Sequence, residues 1–285
     1  LSYAYELGIK LTLEDFEHYA KEIPCINAVV PSGPYTVVDF HYAGGVPNVM
    51  KMLESKLHTD APSMYGCPWS EVLSKVTAQE NKVIHSLDRP LFHEPGLKIL
   101  RGNLSPNGAI VRPTAVYDEV KYMKGKAKVF ENDRSAFEAI QGGQIVPGDI
   151  IVIRYEGCKG APGMKELMLS IDALIGLGLH KSVGLITDAR FSGFNFGAII
   201  GHVSPEAYDG GTIALVENGD EIVIDIPNGE VSLLVSDEEL AKRRENWVCP
   251  PLKEEKGCLN IYAKMCRPAE EGGAMQPWGL DAKFK

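Results

Sequence analysis

The stretch TIALVENGDEIVIDIPNGEVSLLV, residues 212–235, constrains the fold more than any other part of the chain. Its β-branched runs are punctuated twice by Asn-Gly, at Asn218–Gly219 and Asn228–Gly229. Asn-Gly supplies the positive φ angles that two-residue hairpin turns require. The spacing predicts three strands in an antiparallel meander. Directly after it, SDEELAKRRENW places Ser236 and Glu239 at capping-box spacing and predicts a helix.

Upstream, GDIIVIRYEG and SVGLITDARFSG are short β-branched runs bounded by glycine and aspartate, and read as strands. Between them, MKELMLSIDALIGLGL sets Met164, Leu167, Met168, Ile171 and Leu174 on one helical face. The first 90 or so residues have a different character and read as mostly helical. TLEDFEHYAKEI offers Thr12 as a cap with Asp15 three residues on; HYAGGVPNVMKMLESKL offers Asn48 as a cap ahead of Val49, Met50, Leu53 and Leu57. The proline-rich and charged SLDRPLFHEPG marks a boundary. The expected fold is therefore mixed α/β. A mostly helical N-terminal remnant, residues 1–93, precedes a β-barrel-like domain flanked by helices, residues 94–285.

Bulk properties exclude several classes of function. With 45% hydrophobic and 24% charged residues, the 285-residue chain has the composition of an ordinary globular protein. A net charge of -9 argues against nucleic acid as a partner, since phosphate contacts need clustered Lys and Arg. The densest basic stretch, KYMKGKAKVF, is short and reads as a solvated face. No run approaches the roughly 18 apolar residues of a membrane span. Of the six cysteines, none forms a C-x-x-C pair, and reduced thiols in a cytoplasmic protein are expected. Cys249, Cys258 and Cys266 lie close enough in sequence to be considered as a metal set. The chain opens on Leu1 without a methionine, which points to a processed or incomplete chain.

Three stretches could carry chemistry. In TDARFSG, Ser192 follows a strand-like run with no neighbouring base. It reads as a turn residue, a catalytic residue or an anion contact. The frame around it lacks both glycines of a G-x-S-x-G elbow, yet a serine hydrolase built from Ser192, His202 and Asp188 is an open alternative. In RYEGCKGAPGMKE, Gly157, Gly160 and Gly163 surround Lys159 between a strand and a helix. Such a loop either connects the two or presents backbone N–H groups to an anion. Glu166, expected in the first turn of the next helix, has the hard oxygen donors that suit Mg²⁺. In IGHVSPEAYDGG, His202 and Ser204 are candidate contacts or core residues.

Taken together, DFHYAGGVPNVMKMLE, RGNLSPNGAIVRP, GDIIVIRYEGCKGAPGMKELM, LITDARFSG and IGHVSPEAYDGG resemble, in order and spacing, the dihydroxy-acid and sugar-acid dehydratases, which include phosphogluconate dehydratase. The resemblance implies a hydro-lyase that removes water from a 2,3-dihydroxy carboxylic acid and yields a 2-keto acid. It implies an iron–sulfur cluster as Lewis acid, Mg²⁺ on the carboxylate end of the substrate, Ser192 as an alkoxide base and Glu166 as an Mg²⁺ ligand. Lys159, His202 and Ser204 become candidate substrate contacts. It implies a homodimer acting on a small dihydroxy acid. The cluster cysteines and the remaining Mg²⁺ ligands of the family belong to an N-terminal half that these residues lack, so the chain alone is expected to be inactive. The Glu166-to-Ser192 interval of 26 residues and GHVSPEA resemble the dihydroxy-acid and phosphogluconate branch, whereas Ala189, where that branch usually has glycine, leans toward the sugar-acid dehydratases. Cys158 and Ala161 depart from the more usual E-G-P-K-G-G-P-G-M loop.

Overall fold

The computed structural model describes residues 1–276. The chain divides into two compact units: residues 1–18 together with those from Leu97 on, and residues 19–96. The chain begins with α1 (Ser2–Glu6) and α2 (Leu13–Glu22). Thr12 caps α2 as expected, its N–H and hydroxyl both donating to the Asp15 carboxylate at 2.7 and 3.1 Å.

The smaller unit carries the short helices α3 (Val37–Tyr42), α4 (Gly45–Met52) and α5 (Trp69–Ser74), joined by irregular chain around buried Ile26, Ala28, Leu73 and Ile84. Helix α4 starts earlier than the sequence suggested. Asn48 is not its cap but lies inside it, 2% exposed. Its amide donates to the carbonyls of Ala43 (3.0 Å) and Gln79 (2.8 Å) and accepts from the Gln79 N–H (3.0 Å). A distant strip of backbone, invisible in a local pattern, claims the side chain.

The larger unit is an eight-stranded, nearly closed barrel. Its strands are β1 (Lys98–Leu100), β2 (Gly108–Val111), β3 (Tyr122–Phe130), β4 (Asp149–Ile153), β5 (Gly184–Thr187), β6 (Ile199–Ser204), β7 (Glu221–Asp225) and β8 (Glu230–Leu233). Their order is β1-β2-β6-β5-β4-β3-β7-β8, with β3, β4, β5 and β6 parallel and the outer pairings antiparallel. A single bridge closes the seam. The Arg101 N–H donates to the Gly229 carbonyl, and the Val231 N–H to the Arg101 carbonyl, both at 2.9 Å.

Alternation along β4 shows why the sheet curls with helices outside. Ile150 and Val152 join the core shared with Leu100, Ile200, Ile222 and Val231. Ile151 and Ile153 point the other way, into a second core under α6 (Asp133–Gln141) and α7 (Leu169–Gly176), with Ile140, Ile171 and Leu174. A strand covered on both faces reads as a continuous apolar run. Residues 150–153 are all 0% exposed, and each side chain contributes roughly 1.5–3 kcal/mol of burial.

Two expectations are corrected. The predicted meander is one hairpin: β7 and β8 join over Asn228–Gly229, where Gly229 has φ 74°. Residues Thr212–Leu215 form a 3-10 turn instead of a strand, because Arg154 donates to the carbonyls of Ala214 (2.6 Å) and Val216 (3.0 Å) in place of a ladder. The Asn218–Gly219 turn leads β7 to β3, its Asn218 side chain accepting the Val129 N–H at 2.7 Å. The helix predicted from Met164 starts at Leu169. Buried Asp133 accepts the N–H groups of Met168, Leu169 and Ser170 (3.0–3.3 Å) and so fixes that start. Glu166 therefore precedes the helix. The chain continues through α8 (Asp237–Asn246), capped by the Ser236 hydroxyl as expected, to α9 (Gly257–Met265).

Candidate active site at the carboxyl ends of the parallel strands

Parallel strands deliver the loops that follow them to one end of the sheet, where open α/β sheets bind ligands. Here those loops are residues 154–168 after β4, 188–198 after β5 and 205–211 after β6. One side chain ties all three together. Asp188 is 0% exposed and accepts from the N–H groups of Tyr155 (3.1 Å), Glu156 (3.0 Å) and Ala207 (3.0 Å). Burial pushes its carboxyl up to about 6, against the three amides, which pull it down.

Glu206, 3% exposed, grips the glycine loop itself, accepting from the N–H of Lys159 (3.0 Å) and of Gly160 (3.2 Å). Burial, then the charge of Asp188, pushes it up to about 8. The glycines are sterically required here. A Cβ on Gly157 would stand 2.5 Å from a Glu206 carboxylate oxygen, and one on Gly160 2.3 Å from the Tyr155 carbonyl oxygen. The loop thus does present amides to a carboxyl group, and that group is the protein's own. Glu156, 1% exposed, completes the buried carboxylates, meeting Lys253 at 3.1 Å and Lys165 at 2.9 Å. Sequence reasoning missed Glu156 and Glu206 and gave Asp188 a different role. The available signal was an acidic residue directly behind each apolar strand run, beside a glycine-rich loop.

Glu166 is exposed and lies in an extended segment paired with Arg190, the Leu167 N–H donating to the Arg190 carbonyl at 2.9 Å. Ser192, two residues beyond Arg190, is half-buried. Its hydroxyl oxygen accepts the Phe194 N–H at 3.2 Å, and Asn195 donates to its carbonyl at 2.7 Å. Arg112 donates to the neighbouring Gly193 carbonyl at 2.6 Å. Beside these loops opens a cavity of about 450 Å³ whose wall includes Phe16, Ile110, Met164, Arg190, His202 and Glu270.

Of the candidate substrate contacts, His202 lines that cavity, with φ 57°. Burial, and then the Arg190 charge, press its imidazole down to about 4, so it is neutral near pH 7. Tyr155 and Met164 share this left-handed backbone, at φ 61° and 56°. Non-glycine residues held there cost of order 1–3 kcal/mol each and gather at functional sites. Ser204 is 1% exposed and donates to Glu270, which also accepts from Asn107 at 2.7 Å. Lys159 turns its ammonium to Asp209. The hydrolase arrangement is not favoured: Asp188 accepts from three backbone amides and the Ser192 hydroxyl oxygen accepts from the Phe194 N–H.

No group of three or more His, Cys, Asp or Glu capable of holding a metal occurs among the described residues. Cys249 and Cys258 are exposed and Cys266 is buried, so the suggested cysteine set does not meet. An iron–sulfur cluster does not fit the thiols present. Glu166, the ligand the resemblance implies, is exposed and has the oxygen donors that suit Mg²⁺.

The chain is similar over nearly its whole length to curated dihydroxy-acid dehydratases. The protein so named from Clostridium novyi is 46% identical over 97% of this chain and 50% of its own length. That from Ignicoccus hospitalis is 46% identical over 96% and 50%, and that from a Geobacter species 44% identical over 95% and 49%. The chain spans about half the length of these relatives. The family model for the C-terminal part of dihydroxy-acid/6-phosphogluconate dehydratases matches residues 82–273, and that for the N-terminal part matches residues 1–72. The chain belongs to the dihydroxy-acid/6-phosphogluconate dehydratase family.

Proposed function

We propose that this protein works as a hydro-lyase on a 2,3-dihydroxy carboxylic acid, with Ser192 as the base and Glu166 as a ligand to Mg²⁺. The observation that carries the reading is the pairing of the Glu166 segment with Arg190, two residues ahead of Ser192, beside a cavity lined by Arg190 and His202. Ser192, as the alkoxide, takes the C2 proton, and the C2–C3 double bond forms as the C3–O bond breaks. The proton on Ser192 passes to the departing hydroxide to give water, and the resulting enol tautomerises to the 2-keto acid. The Phe194 N–H on the Ser192 oxygen and the Arg112 cation beside Gly193 favour the alkoxide. Arg190 suits the substrate carboxylate, and neutral His202 can hydrogen-bond a hydroxyl without adding charge. Mg²⁺, when bound, supplies positive charge at the carboxylate end of the substrate. No step is assigned to an iron–sulfur cluster, since this chain has no cysteine set to hold one.

Phe16, Ile110 and Met164 on the cavity wall favour a substrate with an aliphatic tail over a polyhydroxylated sugar acid. Ala189, 0% exposed among the residues under α6 and α7, is not available to select between those branches. No described helix is long and apolar enough to cross a membrane. A cytoplasmic homodimer is part of the proposal, and light scattering tests the assembly state. The test of the chemistry uses a protein of the family's full length and follows keto-acid formation. Ser192→Ala should lower kcat by about a hundredfold or more with little change in KM. Glu166→Gln should raise the Mg²⁺ concentration needed for half-maximal rate. An unchanged kcat in Ser192→Ala refutes the assignment.

A further inference from the structure

The strand that brings His202 to the cavity also fastens a carboxylate there. Gly108 of β2 pairs with Ser204 of β6, and Ile110 with Gly201, so three steps along β6 answer two along β2. The extra residue is a bulge, a device that re-aims side chains beside functional sites. Ile200 and Val203 stay in the barrel core, whereas His202, at φ 57°, lies on the cavity wall. Ser204 donates to Glu270, a half-buried residue on the same wall. Asn107, which precedes Gly108, donates to the other Glu270 oxygen at 2.7 Å. Glu270 is thus held by both chains of the bulged pair.

Both donors are uncharged and leave the carboxylate's charge in place. Each oxygen already holds a hydrogen bond from the protein, so Glu270 needs no donor from a ligand. Among the described residues of the wall, Arg190 and Glu270 are the charged side chains, and His202 is neutral near pH 7. Burial above all, with the charge of Glu270 as a lesser cause, pushes the Cys158 thiol on that wall up to about 12. At about 450 Å³ the cavity is roughly 10 Å across, comparable to the screening length of physiological salt. An anion inside it meets that carboxylate with little salt between them.

We propose that Glu270 sets specificity by repulsion: the cavity admits 2,3-dihydroxy acids with one anionic group and rejects those carrying a second, a terminal phosphate or carboxylate. This rests on the reading that the cavity holds the substrate, with its carboxylate at Arg190. One cationic side chain matches one anion. A molecule with two must set the other against Glu270, whichever way round it enters. Rejection through an unmatched charge is a recognised route to specificity. The family includes dehydratases of dihydroxy acids and of 6-phosphogluconate, and Glu270 sets this chain among the former.

The test compares the binding of 2,3-dihydroxybutanoate and 2,3-dihydroxy-4-phosphooxybutanoate to the full chain by NMR titration, at neutral pH and low salt. The phosphorylated acid should bind about tenfold more weakly or worse. Glu270→Gln removes the charge at nearly constant size and should bring the two affinities within about threefold of each other. Glu270→Ala takes its place if circular dichroism shows a loss of fold. Glu271→Gln, whose parent carboxylate pairs with Arg267, should keep the gap. Equal affinities in the parent overturn the proposal. So does a gap that survives the loss of the Glu270 charge, or failure of the chain to bind either acid. Selective binding without keto-acid formation by a protein of the family's full length would refute the dehydratase reading and leave the role of Glu270 standing.

Discussion

Replacing Glu206 by Gln isolates the cost of ionising a carboxyl group beneath the glycine loop. Glu206 is 3% exposed, and its carboxyl rises from an ordinary 4.5 to about 8 on folding. The folded state therefore holds a proton that the unfolded chain releases earlier. Its stabilising effect is full below 4.5 and is lost as pH climbs toward 8. Each pH decade in that window is worth about 1.4 kcal/mol, which sets a ceiling of about 5 kcal/mol across it. Glutamine removes this titration. It keeps one oxygen to accept from Lys159 or Gly160 but brings an NH₂ toward donors, a cost of about 1–3 kcal/mol at every pH. Urea unfolding at about pH 5, 7 and 9 should therefore find Glu206→Gln less stable than the parent at the acid end. The gap should then narrow or reverse by more than about 2 kcal/mol at the alkaline end. Asp188, raised to about 6, gives a slope of the same sign in both proteins, and its coupling to Glu206 is part of what the substitution removes. Parallel stability curves would refute the reasoning.

Asp133→Ala strips the acceptor from three amides at the start of α7 and should cost about 3–5 kcal/mol in urea unfolding; a loss below about 1 kcal/mol would show that water replaces the carboxylate. Gly160→Ala places a Cβ 2.3 Å from the Tyr155 carbonyl oxygen, and should lower the thermal midpoint through a displaced loop. An unchanged midpoint would mean that the backbone yields without penalty. Near pH 8, iodoacetamide should label exposed Cys249 and Cys258 well before Cys158 and Cys266, as read by peptide mass spectrometry. Equal labelling would contradict the burial of that pair.

Signals that act within a few residues were legible. Ser236 caps α8, Thr12 caps α2, and Asn228–Gly229 turns a hairpin, each by its own local chemistry. Asn218–Gly219 has the same turn chemistry, but the partner strand that decides its role, β3, lies some ninety residues away. Residues 212–215 lost their expected strand to the guanidinium of Arg154, again a distant group. The roles of Ser192 and Glu166 came from the ordered set of motifs; taken alone, each residue supported several readings. Glu156 and Glu206 were hidden for a different reason. A carboxylate in a glycine-rich loop looks solvated until the fold buries it against amides.

Asp188 recognises its two neighbouring connections solely through main-chain N–H groups, at positions 155, 156 and 207. For this contact alone the one residue excluded at those positions is proline, which has no N–H to give. The two connections and Asp188's own must nevertheless keep their mutual spacing, since a length change in either withdraws its amide from the shared acceptor. Grafting a longer or shorter connection from another protein into one of these loops would accordingly loosen its neighbours as well.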